Sequence, residues 1–503
     1  MSEINPVPIM AMEPTSMVSS EVHQPDWDAP DATSGSFDLN HDSGFIPSAT
    51  GSFVLTEDVP IVCTENANGS FVLKEEVPII TDTGNDGSFV LKEQVPIVDT
   101  NYTVLPAYVE ECVASIAPEQ GFTPGEFSIV LDRNSDCEGL IGEIHKATVL
   151  EGEREMHLLC KVPPLDPVRK LQFNSVNLFV REIDVYANLL PTMFEFQRQK
   201  GVTDELETGF FNVPRCFLTH FDAARDEALI LMEDLRVRGF AMWNKMEPIN
   251  YEHARLLMIQ LGRFHALSLA MKDQRPDLFV ACKVSDEMLP AMRENEQLMG
   301  MFAAALDAAI SILDPADEKA SWKMNGLRND FFGVLQNCMD TERAEPYAVL
   351  NHGDCWVNNL LFRYKDGAPR EVVLVDWQLA RYGSPALDLL YFLFCCTDAS
   401  FREKHYDEMI RIYYTALKDL LEELGSEAVD VFPLTALLRQ LKTFGKFAII
   451  MTAVDVPILC TDPTDVHNHG DAAAAFTASA DAQQRYAERM GGVIRDAIKY
   501  GYL

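Results

Sequence analysis

Two apolar runs in the last third of the chain each end on polar residues, and their order and spacing restrict the fold more than any other feature. The first is Val349-Leu350-Asn351-His352-Gly353-Asp354-Cys355-Trp356-Val357-Asn358-Asn359-Leu360-Leu361-Phe362, which enters a polar loop and returns to an apolar run. The second is Val372-Val373-Leu374-Val375-Asp376-Trp377-Gln378, a strand of aliphatics that ends on one carboxylate. Asn359 lies five residues after Asp354, and Asp376 lies seventeen after Asn359. Either run alone would suit a capped turn or an ordinary strand end.

In this order the residues match the HxDxxxxN arrangement of kinases followed by a metal-binding aspartate. Phosphoryl transfer asks a protein mainly to position groups and neutralise charge. Asp354 would accept the proton of an acceptor hydroxyl. Asn359 would offer Mg²⁺ a neutral oxygen, and Asp376 an anionic one to the metal bridging the ATP phosphates. A metal hydrolase would need HExxH or a second His/Asp cluster beside His352 and Asp354, and a serine hydrolase would need GxSxG; the sequence has none of these.

The preceding sequence is β-rich. Phe127–Leu131 and Glu143–Leu150 read as strands, with Glu138-Gly139-Leu140-Ile141-Gly142 between them. Glycines at 139 and 142 suit a plain hairpin turn or a loop that lets backbone approach a phosphate. His157–Pro163 reads as a strand carrying Lys161. Residues 177–196 have helical periodicity, and Glu182 sits among Phe179, Ile183 and Tyr186. A carboxylate beside an apolar stripe needs a cationic partner, and Lys161, 21 residues upstream, is the candidate. Ala228-Leu229-Ile230-Leu231-Met232 is a buried-type strand, and Glu233-Asp234-Leu235 a connector to mostly helical sequence. Residues 250–271 form an amphipathic helix on which His265 reads as a core histidine or a base.

The first hundred residues differ. They hold seventeen acidic residues and two lysines, a net −15 of the chain's −36. Rich in Pro, Ser, Thr, Gly and Asn, they cannot bury enough apolar surface to offset ordering entropy, so disorder is expected over 1–103. GSFVLTEDVPI, GSFVLKEEVPI and GSFVLKEQVPI begin at Gly51, Gly69 and Gly87, a period of 18 residues. These repeats are either a tandem linear motif for a protein partner or an unconstrained duplication. From 104 onward, sustained periodicity and an overall 47% hydrophobic content point to a sizeable folded core.

The acidic balance argues against a nucleic-acid partner. No run of apolar residues is long enough for a membrane span, since Phe447–Cys460 is short and carries Asp455. Eleven cysteines without a CxxC suit reduced thiols and a cytoplasmic location.

The chain resembles the ecdysteroid kinase-like (CHK kinase-like) family, in the aminoglycoside phosphotransferase and choline kinase branch of the protein-kinase-like fold. The resemblance rests on NHGDCWVNNLLF (351–362) and VLVDWQLARYGSPALDLLYFL (373–393), supported by LLCKVPP (158–164), FVREIDVY (179–186), LILMEDL (229–235) and LGRFHALSLA (261–270). It implies an α+β, bilobal fold, with an N-lobe over 104–235 and a helical C-lobe over 236–503. It implies ATP and Mg²⁺ as cofactors, with Asp354 as catalytic base and Asn359 and Asp376 as metal ligands. Lys161 would anchor the phosphates and pair with Glu182, Gly139 and Gly142 would cover them, and Met232, Glu233, Asp234 and Leu235 would meet adenine. His352 and Asp388 would support the catalytic loop.

Two departures from protein kinases point to a small-molecule alcohol as acceptor. Gly353 stands where many of them have Arg, and Asp376-Trp377-Gln378 replaces Asp-Phe-Gly with no Ala-Pro-Glu following. An ecdysteroid or related hydroxylated metabolite is the expected acceptor. Met288, Met292, Met299, Met301 and Phe302 would suit an apolar ligand or plain core. The alternative is a catalytically silent binding protein whose repeats recruit partners.

Overall fold

A computed structural model describes residues 63–65, 71–73, 105–133, 142–164, 175–281, 288–462 and 479–503. Contacts divide the chain into two units, Met1–Val98 and Asp99–Leu503. In the first, Cys63–Glu65 pairs antiparallel with Phe71–Leu73, the Phe-Val-Leu run of the repeat beginning at Gly69. The rest of the expected disordered tail and its repeats lies outside the described residues, as does Gly139.

In the second unit, every side chain from Ala228 to Met232 is buried, so both faces of that strand need a cover. Helix α1 (Ala107–Ile116) covers one face, packing Val109, Val113 and Ile116 against Leu229 and Leu231. Ile230 and Met232 point the other way, into the larger core. The sheet holds β1 (Ser128–Arg133), β2 (Glu143–Glu151), β3 (Arg154–Val162), β4 (Cys216–Asp222) and β5 (Glu227–Glu233). Its order is β1-β2-β3-β5-β4, all antiparallel. On β3, Leu158, Cys160 and Val162 join the α1 side, so period-two alternation sends Lys161 to the opposite face.

That face is covered by α2, which runs from Ser175–Asp184 through a π-helical Val185–Leu189 to Leu190–Gln199. The widened turn ends just before Pro191, whose missing N–H cannot continue the regular ladder. Phe179, Tyr186 and Leu190 pack into the larger core as their helical spacing requires.

After β5, Asp234 accepts from the Arg236 backbone N–H at 3.0 Å and caps a short 3₁₀ turn. The chain then forms β6 (Phe240–Met242) rather than passing directly into helix. Asn250 caps α3 (Tyr251–Gln274), its Oδ1 accepting from the His253 N–H. The remaining strands are β7 (Val349–Asn351), β8 (Leu360–Lys365), β9 (Ala368–Leu374) and β10 (Arg381–Gly383). They form a β9-β8-β6 sheet and a β10-β7 pair, which present the loop after β7 and the end of β9 side by side.

Around them lie α4 (Ala386–Cys396), α5 (Ala399–Glu423), α6 (Lys446–Cys460) and α7 (Ala480–Tyr500). Every residue of α4 is buried. Arg402 Nε donates to Asp496 Oδ2 at 2.7 Å, a buried pair tying α7 to α5. Among the described residues, no single helix is long and apolar enough to cross a membrane; the apolar pair Ala428–Phe444 and Lys446–Cys460 is bent by 56°.

Met292 and Phe302 belong to the main core, and Phe302 stacks on Phe331 with ring centres 6.2 Å apart. Met299 and Met301 pack against the same core.

Candidate active site

Lys161 projects from the α2 side of β3. Its Nζ donates to Glu182 Oε2 at 2.6 Å and to Asp376 Oδ1 at 3.0 Å. Glu182 is fully buried on α2, and its Oε1 accepts from the Trp377 backbone N–H at 3.3 Å. Strand, helix and the segment that follows β9 therefore meet on one ammonium. Burial alone would lower the Lys161 pKa, but the Asp376 and Glu182 carboxylates hold it above its ordinary value.

The loop after β7 is clamped from α4. Asp388, fully buried, accepts from the His352 and Gly353 backbone N–H groups, both at 2.8 Å. His265 Nε2 reaches the same carboxylate at 3.3 Å, while its Nδ1 lies 2.9 Å from the Tyr413 hydroxyl. His265 is thus a hydrogen-bonded core residue behind the loop. Burial would raise the Asp388 pKa, but the His265 hydrogen bond and charge and the Gly353 N–H hold it below the usual carboxylate range.

His352 is also fully buried. Its Nε2 lies 3.0 Å from the Val375 carbonyl, and its Nδ1 accepts from the Asp354 N–H at 3.3 Å. Burial pushes its pKa down, which keeps the ring neutral and suits the Nε2–H tautomer that these partners require.

Gly353 is the residue the turn demands. Its φ is +84°, and a Cβ there would lie 1.9 Å from the Leu379 carbonyl oxygen. The buried Arg381 donates from Nη2 to the Gly353 carbonyl at 3.3 Å and from Nε to the Leu379 carbonyl at 3.1 Å. No side chain fits where many protein kinases place an arginine.

Asn359 Nδ2 donates to the Asp354 carbonyl at 3.0 Å and to Asp354 Oδ2 at 2.8 Å. Its two amide hydrogens are engaged there, which leaves Oδ1 for a cation. Asp376 has a φ of +66°, a conformation a non-glycine residue adopts at a cost, and its side chain is one-third exposed. Among the described residues, no three His, Cys, Asp or Glu side chains make a ready-made cation site. That fits Mg²⁺, which commonly takes one or two protein oxygens and completes its shell with phosphate and water. An amide oxygen and a carboxylate on adjoining segments make such a donor pair.

Asp354 Oδ1 accepts from the Tyr391 hydroxyl at 3.1 Å. Burial, reinforced by the nearby Asp376 charge, pushes the Asp354 carboxyl up to about 7. Tyr391 also faces Asp455 of α6, which burial pushes up to about 8. The Tyr391 hydroxyl thus sits between two buried carboxyls, both of which burial makes hold a proton more tightly.

The connector places Leu235 in a small apolar cluster with Phe240 and Val373, flanked by Leu361 and Val375. Met232 is buried on the large-core face of β5. Arg236 Nε and Nη2 engage Asp234 at 2.8 Å each, and Arg238 Nη1 lies 3.1 Å from Glu233 Oε2. The two acidic side chains are therefore occupied, and so are the Glu233 and Asp234 N–H groups, which donate to the Arg215 and His157 carbonyls at 2.9 and 3.3 Å. Gly142, buried after the glycine turn, closes on the stem of Lys161: a Cβ there would come 3.5 Å from Lys161 Cε.

The structure thus brings Lys161, Glu182, Asp376, Asp354, Asn359, His352, Asp388 and Gly142 into one connected site. Sequence reasoning missed Tyr391, Asp455 and the closure of Arg381 over Gly353. Two of these had a signal. Tyr391 lies one helical turn beyond Asp388, and Asp455 is the lone acidic residue in an apolar helix.

A β-rich lobe, a mainly helical lobe and this constellation define the protein-kinase-like fold. The profile of the ecdysteroid kinase-like family matches residues 137–426, and the chain belongs to that family. It is similar to a solved ethanolamine kinase of Plasmodium vivax at 14% identity, covering 77% of this chain and 87% of that one, with a TM-score of 0.36. It is also similar to an aminoglycoside 2'-phosphotransferase-IIIa in its GDP complex, at 11% identity over 77% and 98% of the two chains, with a TM-score of 0.34. No curated protein matches the chain.

Proposed function

We propose that this chain is an ATP- and Mg²⁺-dependent phosphotransferase that acts on a hydroxyl of a small molecule, an ecdysteroid or related hydroxylated metabolite. The observation that carries it is Lys161 held between Glu182 and Asp376 while Asn359 is bonded to Asp354. These contacts match the division of labour that phosphoryl transfer needs.

When bound, ATP supplies the phosphoryl group and Mg²⁺ the positive charge that offsets its oxygens. Lys161 would hold the phosphates, with Glu182 keeping the ammonium in place. Asn359 Oδ1 and the Asp376 carboxylate would hold the metal. Asp354 would orient the acceptor hydroxyl and take its proton, and a carboxyl raised to about 7 is near the pH at which a general base works well. Asp388, His352 and His265 would keep the loop rigid. The cytoplasm is the proposed location, and eight free thiols among the described residues support it.

The test is Mg-ATP binding by the purified chain, followed by ATP consumption against a panel of steroids and other alcohols, with Asp354→Asn as control. Turnover lost in the control supports the assignment. No Mg-ATP binding and no turnover would refute it, whereas binding without turnover on any acceptor would favour a silent binding protein.

A further inference from the structure

Gln378 follows Asp376 by two residues, is 2% exposed, and has no hydrogen-bond partner among the described residues at either Nε2 or Oε1. A buried amide left wholly unpaired lowers stability, so its retention calls for a group that completes it in the working protein. Its position is well defined. A Cβ on Gly142 would lie 3.8 Å from Gln378 Nε2, 3.5 Å from Lys161 Cε and 3.2 Å from the Val162 carbonyl. The amide, the lysine stem and the backbone after the glycine turn therefore converge on one spot.

The residue beside it is held in place. Trp377 is fully buried, its backbone N–H is bonded to Glu182, and its ring lies 4.5 Å from His352 and 5.2 Å from Phe264, centre to centre. Gln378 therefore extends from a fixed backbone. A donor amide beside the lysine that would meet phosphates suits an anionic oxygen acceptor.

We propose that Gln378 is a phosphate-reading residue, whose Nε2 donates to a β- or γ-phosphate oxygen of the bound nucleoside triphosphate. This rests on the phosphotransferase reading above and adds a residue to it. The amide replaces the glycine of Asp-Phe-Gly, so the contact comes from the segment after Asp376 itself.

The experiment measures the Kd of full-length wild type, Gln378→Leu and Gln378→Glu for Mg-ATP, Mg-ADP and AMP by calorimetry, with the ligand-free Tm of each. Gln378→Leu is expected to weaken Mg-ATP roughly 10-fold, as loss of one charge-assisted hydrogen bond does. Its AMP affinity stays within about 2-fold, and its ligand-free Tm is unchanged or higher, because an apolar side chain replaces an unpaired amide. Gln378→Glu sets a carboxylate against phosphate and weakens Mg-ATP further.

Equal weakening of Mg-ATP and AMP together with a lower Tm would overturn the proposal in favour of a structural role. Unchanged Mg-ATP affinity in Gln378→Leu would overturn it in favour of an amide satisfied by water. If wild type bound none of the three nucleotides, the phosphotransferase reading itself would fall.

Discussion

Asp455→Asn is expected to stabilise the protein near neutral pH, because burial makes Asp455 keep a proton there that the unfolded chain releases, and asparagine has none to keep. The carboxyl is 7% exposed on α6, faced by Tyr391 and Cys395 of α4 and by Asp354 beyond the phenol. Burial pushes it up to about 8, whereas an unfolded aspartate titrates at ~3.9. Below about pH 4 both states hold the proton, and its contribution to stability is fully present. As pH rises towards 8 the folded state keeps a proton that the unfolded state has released, so wild-type stability falls through that window.

A tenfold difference in proton affinity between folded and unfolded carboxyl is worth about 1.4 kcal/mol, so a gap of about four pH units bounds the loss at ~5 kcal/mol. Asparagine avoids it, because its side chain is neutral and does not titrate in this range. For a unit of about 400 residues, the usual unfolding entropy converts each kcal/mol into about 1 °C of Tm. Calorimetric scans of both proteins from pH 4 to pH 8 should show a difference near zero at the acid end. It should grow to ~3–6 °C in favour of Asp455→Asn at the alkaline end. A difference independent of pH, or one favouring wild type as pH rises, would refute a protonated Asp455.

Lys161→Met should lower stability by about 3–5 kcal/mol in urea unfolding, since it leaves the fully buried Glu182 uncompensated. Adding Glu182→Leu should recover most of that loss. Gly353→Ala should cost more than ~3 kcal/mol, because the new Cβ meets the Leu379 carbonyl oxygen and the residue is held at φ +84°; chemical denaturation reads it directly. Asp354→Asn should cut turnover of an identified acceptor by ~10²–10⁴ in initial-rate assays while the Mg-ATP Kd from calorimetry changes little.

Local chemistry made much of the site legible before any coordinates. Asp354, Asn359 and Asp376 are close in the chain, and the alternation of apolar and polar residues places them at loop and strand ends. The β3 alternation that buries Leu158, Cys160 and Val162 on one face already sends Lys161 to the other. The helical spacing of Phe179, Tyr186 and Leu190 carries Glu182 inward beside it. Strand β6 was not legible, because its three residues acquire their pairing only from β8, far along the chain.

The amino-acid sequence by itself determined which groups this protein has for its chemistry, since their types and spacings follow from helix and strand periods. Only the tertiary structure decided what surrounds them. The Asp354–Tyr391–Asp455 chain joins a loop to two helices, and Arg381 closes over Gly353 from another strand. Gln378 is buried beside Gly142 and the stem of Lys161, without a partner among the described residues. Periodicity assigns a side chain to a face; only long-range packing settles which distant group it meets there, and hence whether a carboxylate keeps its proton or an amide finds its partner.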